Sequence, residues 1–253
     1  MSAELFDGAE MATGYAAARP PVHEPVMMRA AVALGWTGPV GRVLDVGCGA
    51  GASTRAASRW ATTMLGVDPV PAMVATARNT VPGARFLVAR AEAMPIASGS
   101  ISVIVAAGSL NFVALATVRA EAARVLTPDG VVVAYDFATG ARSAATVAVE
   151  HGYAEFSTRW PRPTGTRLHI DRAVLGAQAV DVRLHDEFVV TIEMNLEAYV
   201  DYLMTETNVS VAVARGEDRA AIRAWTTAAF APAFAGPQPI DFDAWYAVGV
   251  TKR

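Results

Sequence analysis

Cysteine and lysine are almost missing from this chain of 253 residues, which holds one of each, Cys48 and Lys252. A lone cysteine excludes an internal disulfide and a cysteine-based metal cluster, and it suits a reducing compartment. Charge is scarce as well. Charged residues make up 18% of the chain and the formal net charge is −3, with no basic run dense enough to neutralise a row of phosphates, so general nucleic-acid binding is not expected. No apolar run approaches the roughly 18 residues that span a bilayer. The first ten residues are acidic and broken by Gly8, so no secretory leader is predicted. These absences predict a soluble, cytoplasmic protein without a membrane partner. Fixed-period repeats and low-complexity tracts are also lacking.

What is abundant is alanine and the β-branched aliphatics: 53% of residues are hydrophobic, enough for a full core without metal or disulfide staples. Short apolar runs alternate with longer alanine-rich stretches, the pattern of a parallel sheet covered by helices. The spacing predicts a helix over 23–34 and strands at 42–46, 63–67, 85–88, 101–106 and 131–135. Helices are predicted over 52–60, 71–79 and 115–126, and Thr127-Pro128-Asp129-Gly130 reads as a turn. After residue 137 the regularity weakens around Gly140, Gly152, Gly165 and Trp160-Pro161-Arg162-Pro163. A strand at 184–194, helices at 196–204 and 217–230 and a last strand at 245–251 follow. The expected fold is α/β: a doubly wound, seven-stranded, mainly parallel sheet with an antiparallel last strand and a helical cap. One domain accommodates it, with N-terminal cap helices in 1–37, a cofactor-binding core in 38–137, lid-like insertions with one core strand in 138–230 and the last strand in 240–253.

The most informative stretch is Val43-Leu44-Asp45-Val46-Gly47-Cys48-Gly49-Ala50-Gly51. Glycines at alternating positions after a strand let the backbone turn sharply and let a ligand approach with no Cβ in the way. Asp68 closes the second strand 19 residues after Gly49, where a carboxylate can accept hydrogen bonds from the hydroxyls of an adenosine ribose. Two cofactor classes use this geometry. Gly47-x-Gly49-x-x-Ala52 meets a relaxed form of the dinucleotide fingerprint. Against that stands Asp45, whose charge would repel a diphosphate and suits a cofactor carrying an amine and a sulfonium.

Residues 44–51 resemble the signature loop of the Rossmann-like (class I) S-adenosylmethionine-dependent methyltransferases, in their small-molecule, type-11-like branch. Gly66-Val67-Asp68-Pro69 resembles the family's ribose-binding turn, Ala91-Glu92-Ala93-Met94-Pro95 the segment bordering the adenine, and 121–130 the helix and turn before the fifth strand. Tyr15-Ala16-Ala17-Ala18-Arg19-Pro20 resembles an N-terminal element that folds over the cofactor. The resemblance covers about residues 10–137. It implies that Asp45, Gly47, Cys48 and Gly49 hold the methionine portion, that Asp68 and Pro69 hold the ribose, and that Ala91 and Glu92 border the adenine. Ala107 and Gly108 would lie along the methionine end, under Tyr15 and Arg19. Arg90 and Ser102 depart from the family, whose members often have acidic residues there.

For the acceptor, Ser109-Leu110-Asn111-Phe112 follows the fourth strand and is expected to open into the pocket, with Phe112 on its wall. The family often has a histidine where this chain has Asn111, an amide that can orient a substrate but is a poor base; the alternative is that Asn111 caps the next helix. Of His23, His151, His169 and His185, the best placed base is His151, in the lid-like insertion, while His23 and His185 read as surface residues. Tyr199, Tyr202 and Glu206 fall on one helical face, which either lines the acceptor site or belongs to the core. Tyr153, Phe156 and Trp160 suit an apolar or aromatic substrate and equally a docked lid. The expected activity is transfer of a methyl group from S-adenosylmethionine to O, N or C of a small, partly apolar molecule such as a secondary metabolite, by a monomer or homodimer with no metal. One alternative is a cofactor-retaining protein that does not methylate. The other is an NAD(P)-dependent oxidoreductase, which lacks a Tyr-x-x-x-Lys constellation because Lys252 is the only lysine.

Overall fold

The computed structural model describes residues 9–162 and 170–251. Strands β1 (Arg42–Val46), β2 (Thr63–Asp68), β3 (Arg85–Val88), β4 (Ile101–Ala107) and β5 (Leu126–Phe137) form a parallel array in the order β3-β2-β1-β4-β5. A two-residue strand β6 (Arg142–Ser143) and the long β7 (Val180–Met194) both pair antiparallel with β8 (Gln238–Thr251), which itself runs antiparallel to β5. The mainly parallel sheet with an antiparallel last strand is as expected. It has eight strands among the described residues because β6 adds a short one.

Ten α-helices among the described residues cover this sheet. They are α1 (Ala9–Ala18), α2 (His23–Ala33), α3 (Ala52–Ser58), α4 (Pro71–Thr80), α5 (Leu115–Val125), α6 (Ala148–Arg159), α7 (Arg172–Gln178), α8 (Leu196–Leu203), α9 (Thr207–Ala214) and α10 (Arg219–Phe230). Strand periodicity divides the core between the two faces. Val43, Val103, Val105, Val133 and Tyr135 point into a cluster with α2, α6, α8 and α10, while Leu44, Val46, Ile104, Ala106 and Val132 point into a second cluster with α5 and α7. Apolar runs buried on both faces are what β1 and β4 display in sequence.

Two expectations are revised. The turn at 127–130 is absorbed into β5 as an irregularity: Ile101 pairs with Leu126 and Val103 with Val131, so the intervening residues loop out of register where Pro128 has no N–H to offer. The segment after residue 137 is more ordered than a set of scattered pieces, since β7 is 15 residues long and pairs along β8 from Val180 to Met194. No helix of the described residues is long and apolar enough to cross a membrane.

The strand order places the site. From β1 the chain winds outward to β2 and β3, then crosses back to β4 on the other side of β1. The two windings part at the carboxyl ends of β1 and β4, leaving a crevice for a ligand.

Candidate functional site

At the end of β1 the backbone turns through Gly47, Gly49 and Gly51, all with positive φ (72°, 49° and 96°), and enters α3. Gly47 also meets a steric demand: a Cβ there would fall 2.3 Å from Ser109 Cβ, on the loop after β4. That close approach is locked by Ser109 Oγ, which donates to Val46 O at 2.5 Å. A Cβ on Gly49 would meet nothing within 4 Å, because that side of the turn is open space.

Asp68 ends β2 and holds this turn in place. Its Oδ2 accepts from Gly49 N–H and its Oδ1 from Val70 N–H, each at 2.9 Å. A carboxylate offers about four lone-pair sites, so two remain for a ligand. Burial raises its pKa, and the two backbone bonds oppose that rise. Asp45 lies beneath the turn, fully buried, with Oδ2 accepting from Ser53 Oγ at 2.7 Å and Thr54 Oγ1 at 2.6 Å, both on α3. Its Oδ1 is buried with no hydrogen-bond partner among the described residues. Burial raises the Asp45 pKa to about 6 against the help of those hydroxyls, and neighbouring Asp68 adds to the rise.

Two adjoining cavities open over the turn. The first is walled by Gly47, Gly49, Asp68 and Pro69 on one side and by Ala91, Glu92, Ala107 and Gly108 on the other, with Tyr15 of α1 also on its wall. Arg90, at the rim, pairs with Glu92 at 3.3 Å. The second cavity, of about 520 Å³, shares Tyr15, Ala107, Gly108 and Phe112 with the first, and its volume suits a small molecule. Of two further residues assigned to the cofactor, one has its side chain elsewhere and the other stands on the wall of the adjoining cavity. The Cys48 side chain turns away into a small core with Val74, Ala77, Val81 and Phe86, so only its backbone belongs to the turn. Arg19 lines the second cavity, its guanidinium 4.4 Å from the Tyr15 ring centroid and 5.4 Å from that of Tyr202.

The second cavity corrects several acceptor assignments. His151 is exposed on α6 and lines neither cavity, because that helix presents Val149, Gly152 and Phe156 to the core instead. His169 lies outside the described residues. His23, expected at the surface, lines the cavity: the end of β5 rises beside the start of α2, setting His23 Nδ1 2.9 Å from Tyr135 Oη and the ring edge-on to Phe137. His185 is part-buried against Trp245.

Asn111 does not cap α5, whose N-cap position is Ala114. Its Nδ2 donates instead to Gly108 O at 3.0 Å and to Asp136 Oδ2 at 2.8 Å. Tyr202 and Glu206 reach the cavity, whereas Tyr199 is core, its hydroxyl donating to Gly140 O at 2.7 Å. Trp160 is also core, with its indole N–H on Glu217 at 2.8 Å and its ring against Phe156 and Trp225. Tyr153 packs on Phe156 and lines neither cavity.

Three contributors were missed. Asp136 and His23 face the cavity, and Arg162 bridges Glu206 (2.7 Å) and the Thr139 hydroxyl across it. Glu206 is buried and also takes Thr139 Oγ1 at 3.0 Å and Arg19 at 3.4 Å. Of these, only Asp136 had a local signal, a carboxylate at the carboxyl end of a strand next to the crevice.

Residues 44–134 match the family model described as a methyltransferase domain. Over 100 residues, 39% of this chain, the sequence is 33% identical to an uncharacterized methyltransferase of Mycobacterium bovis, and the match spans 41% of that protein. A protein of Mycobacterium tuberculosis, likewise named an uncharacterized methyltransferase, matches to the same extent. In structure the fold resembles one described as a candidate type II methyltransferase from Anaeromyxobacter dehalogenans, with a TM-score of 0.68 at 23% identity, covering 88% of this chain and 95% of that one. The YcgJ protein of Bacillus subtilis superposes with a TM-score of 0.52 at 17% identity, covering 91% and 99%.

Proposed function

We propose that the protein is an S-adenosylmethionine-dependent methyltransferase acting on a small, partly apolar acceptor, a reading supported by the match of residues 44–134 to the methyltransferase-domain model. One observation carries the reading. The glycine turn, Asp68 and the loops after β3 and β4 wall one cavity at the parting of the two windings, above a buried carboxylate with an unpartnered oxygen. An anion beneath the turn favours a cationic ligand there and disfavours a diphosphate, which argues against a dinucleotide.

The residues present fit the cofactor. S-Adenosylmethionine supplies a methyl carbon bonded to a sulfonium sulfur. Asp68 has lone pairs left for the ribose hydroxyls, and Ala91 with Glu92 borders the adenine. Gly47 and Gly49 face the methionine amine with the Asp45 charge beneath them, and the buried Arg19 Nε, without a hydrogen-bond partner among the described residues, is a donor suited to the methionine carboxylate. Positioning is the chain's main contribution to such a displacement, since aligning the reacting groups can supply about 7–11 kcal/mol in the best model systems. The second cavity, with Phe112 and Phe137 beside polar groups, takes the acceptor. The reading includes a cytoplasmic setting, which the buried lone cysteine suits, and a monomer or homodimer acting on small molecules of secondary metabolism.

Calorimetry with S-adenosylhomocysteine tests the first cavity. Charge-assisted hydrogen bonds are worth about 1.5–3 kcal/mol each, so Asp68→Ala should weaken binding at least about tenfold with an unchanged circular dichroism spectrum. Unchanged affinity would remove the ribose from Asp68. A second reading, retention of the cofactor without methylation, draws on the fact that both acceptor-cavity carboxylates are already engaged, Asp136 by Asn111 and Glu206 by two arginines. Labelled-methyl incorporation over a panel of small acceptors separates the two.

A further inference from the structure

The acceptor cavity contains several ionisable side chains, and their commitments are uneven. Asp136 accepts from Asn111 Nδ2 and from the Phe137 N–H at 2.9 Å. Glu206 is held by Arg19, Arg162 and Thr139. Asn111 spends its amide donors on Gly108 O and Asp136. Each candidate proton acceptor on the walls therefore already carries hydrogen bonds from the protein.

Two groups differ. Tyr202 is fully buried and lines the cavity, and its Oη makes no hydrogen bond of normal geometry among the described residues; the one hydroxyl near enough to influence it, that of Thr139, is engaged with Arg162 and Glu206. A hydroxyl in that state needs an acceptor. His23 is the other, with Nδ1 2.9 Å from Tyr135 Oη. Tyr135 is buried and that contact is the one its hydroxyl makes, so a satisfied Tyr135 O–H donates to Nδ1. The His23 proton then sits on Nε2, the nitrogen left for the cavity.

Resting on the methyl-transfer reading, we propose that the second cavity binds its acceptor as an oxygen anion, held by two neutral donors, His23 Nε2–H and Tyr202 Oη–H, and that His23 is not a base. The substrate class is an oxygen acid that arrives ionised: a carboxylate, a phenolate or an enolate. An oxyanion has three lone pairs; two take the donors and the third attacks. That pair forms the O–C bond to the methyl carbon as the C–S bond breaks, and the C–S pair goes to sulfur. No proton moves within the protein.

The charges around His23 support its neutrality. Burial lowers its pKa to about 3, with Arg19 and Arg55 pressing in the same direction. The other charged groups on the cavity walls, Asp136, Glu206 and Arg162, are paired as described. Tyr202 also keeps its proton, because burial and Glu206 raise its pKa well above 10.

The test uses the whole chain. Nitrogen-15 NMR of labelled histidine should show His23 as the Nε2–H tautomer, not titrating between pH 5 and 8, and Tyr135→Phe should disturb that tautomer. Titration near pH 6.5, or an Nδ1–H tautomer, overturns the proposal. With S-adenosylhomocysteine bound, benzoate, 4-nitrophenolate and acetylacetonate distinguish the three oxyanion sources. At least one should bind about tenfold tighter than its neutral counterpart, respectively benzamide, 4-nitroanisole or acetone; no preference for any anion rejects the oxyanion. For whichever acceptor the labelled-methyl panel yields, His23→Gln, which restores an N–H but no base, should keep the rate within about threefold while His23→Ala loses tenfold or more. Equal loss in both variants restores His23 as a base. Failure of S-adenosylhomocysteine to bind rejects the methyl-transfer reading instead, and leaves the tautomer result standing.

Discussion

Asp45 illustrates how a single side chain can set the chemistry of a site it does not line. Its carboxylate is sealed under the glycine turn, and burial raises its pKa from 3.8 to about 6, with Asp68 contributing in the same direction. A carboxyl whose pKa is raised on folding is penalised when ionised. Below about pH 3.8 folded and unfolded chains are both protonated there and no penalty exists; between 3.8 and 6 only the unfolded chain ionises, so stability falls as pH rises; above 6 the full cost, about 3 kcal/mol, is in place. A cation bound above Asp45 offsets that cost, which couples binding to proton release. Calorimetry of S-adenosylhomocysteine binding at pH 5.5 in two buffers of different ionisation enthalpy should therefore show release of roughly half a proton, fading towards zero at pH 8. No release at pH 5.5 would detach Asp45 from the ligand. At this scale the sequence was most legible where the residues are neighbours in the chain: Gly47 and Gly49 follow the end of β1, and Asp68 closes β2. His23 was misread because its burial depends on Tyr135, 112 positions away and on another element. His151 was misread because proximity to a predicted lid says nothing about which face of α6 it occupies.

Elements show the same division between local and long-range information. Strands β1, β2 and β4 were legible within a residue or so because apolar runs buried on two faces, punctuated by Gly and Asp-Pro, have few other readings, and the edge strand β3, largely exposed, was marked by the Pro82-Gly83 turn before it. The extents of β7 and β8 were not, because their pairing is a property of the two together, and the solvent-facing half of β7 mixes charged residues into the pattern. Helix α9 lacks an amphipathic stripe, and it packs against its neighbour α10. Helix α1 borders both cavities. It is anchored through a minor cluster of Ala12, Ala50, Val70 and Met73, separate from the two large cores, yet it carries Tyr15 on the wall common to both cavities. An element with few buried apolar contacts opens at low free energy. Ligand binding should therefore slow hydrogen exchange in α1 by at least about tenfold, while β4 and β5, already protected by global stability, change far less. Equal protection across α1 and the sheet, or none in α1, would mean that the helix is not part of the binding unit.

Over the whole molecule, the sheet is what makes the two cores cooperative. Alternate residues of β1, β4 and β5 project into opposite clusters, so neither can dissolve without exposing the strands that carry the other. The first cavity lies at the carboxyl ends of β1 and β4 and draws its walls from β1, β2 and β4 and the loops beyond them. A ligand there stabilises the folded chain by RT ln(1 + [L]/Kd), about 2.7 kcal/mol at a hundredfold excess over Kd. For a domain of this size each kcal/mol moves the midpoint by about 2–4 °C, so S-adenosylhomocysteine at that excess should raise Tm by roughly 5–11 °C. Since both cores share the strands, calorimetric unfolding should remain one transition that moves as a whole. Asp68→Ala, at the same ligand concentration, should lose about half of the shift or more, because the excess over its weakened Kd falls at least tenfold. Two transitions of which only one responds to the ligand would show instead that the clusters unfold independently, and that the cavity is coupled to one of them.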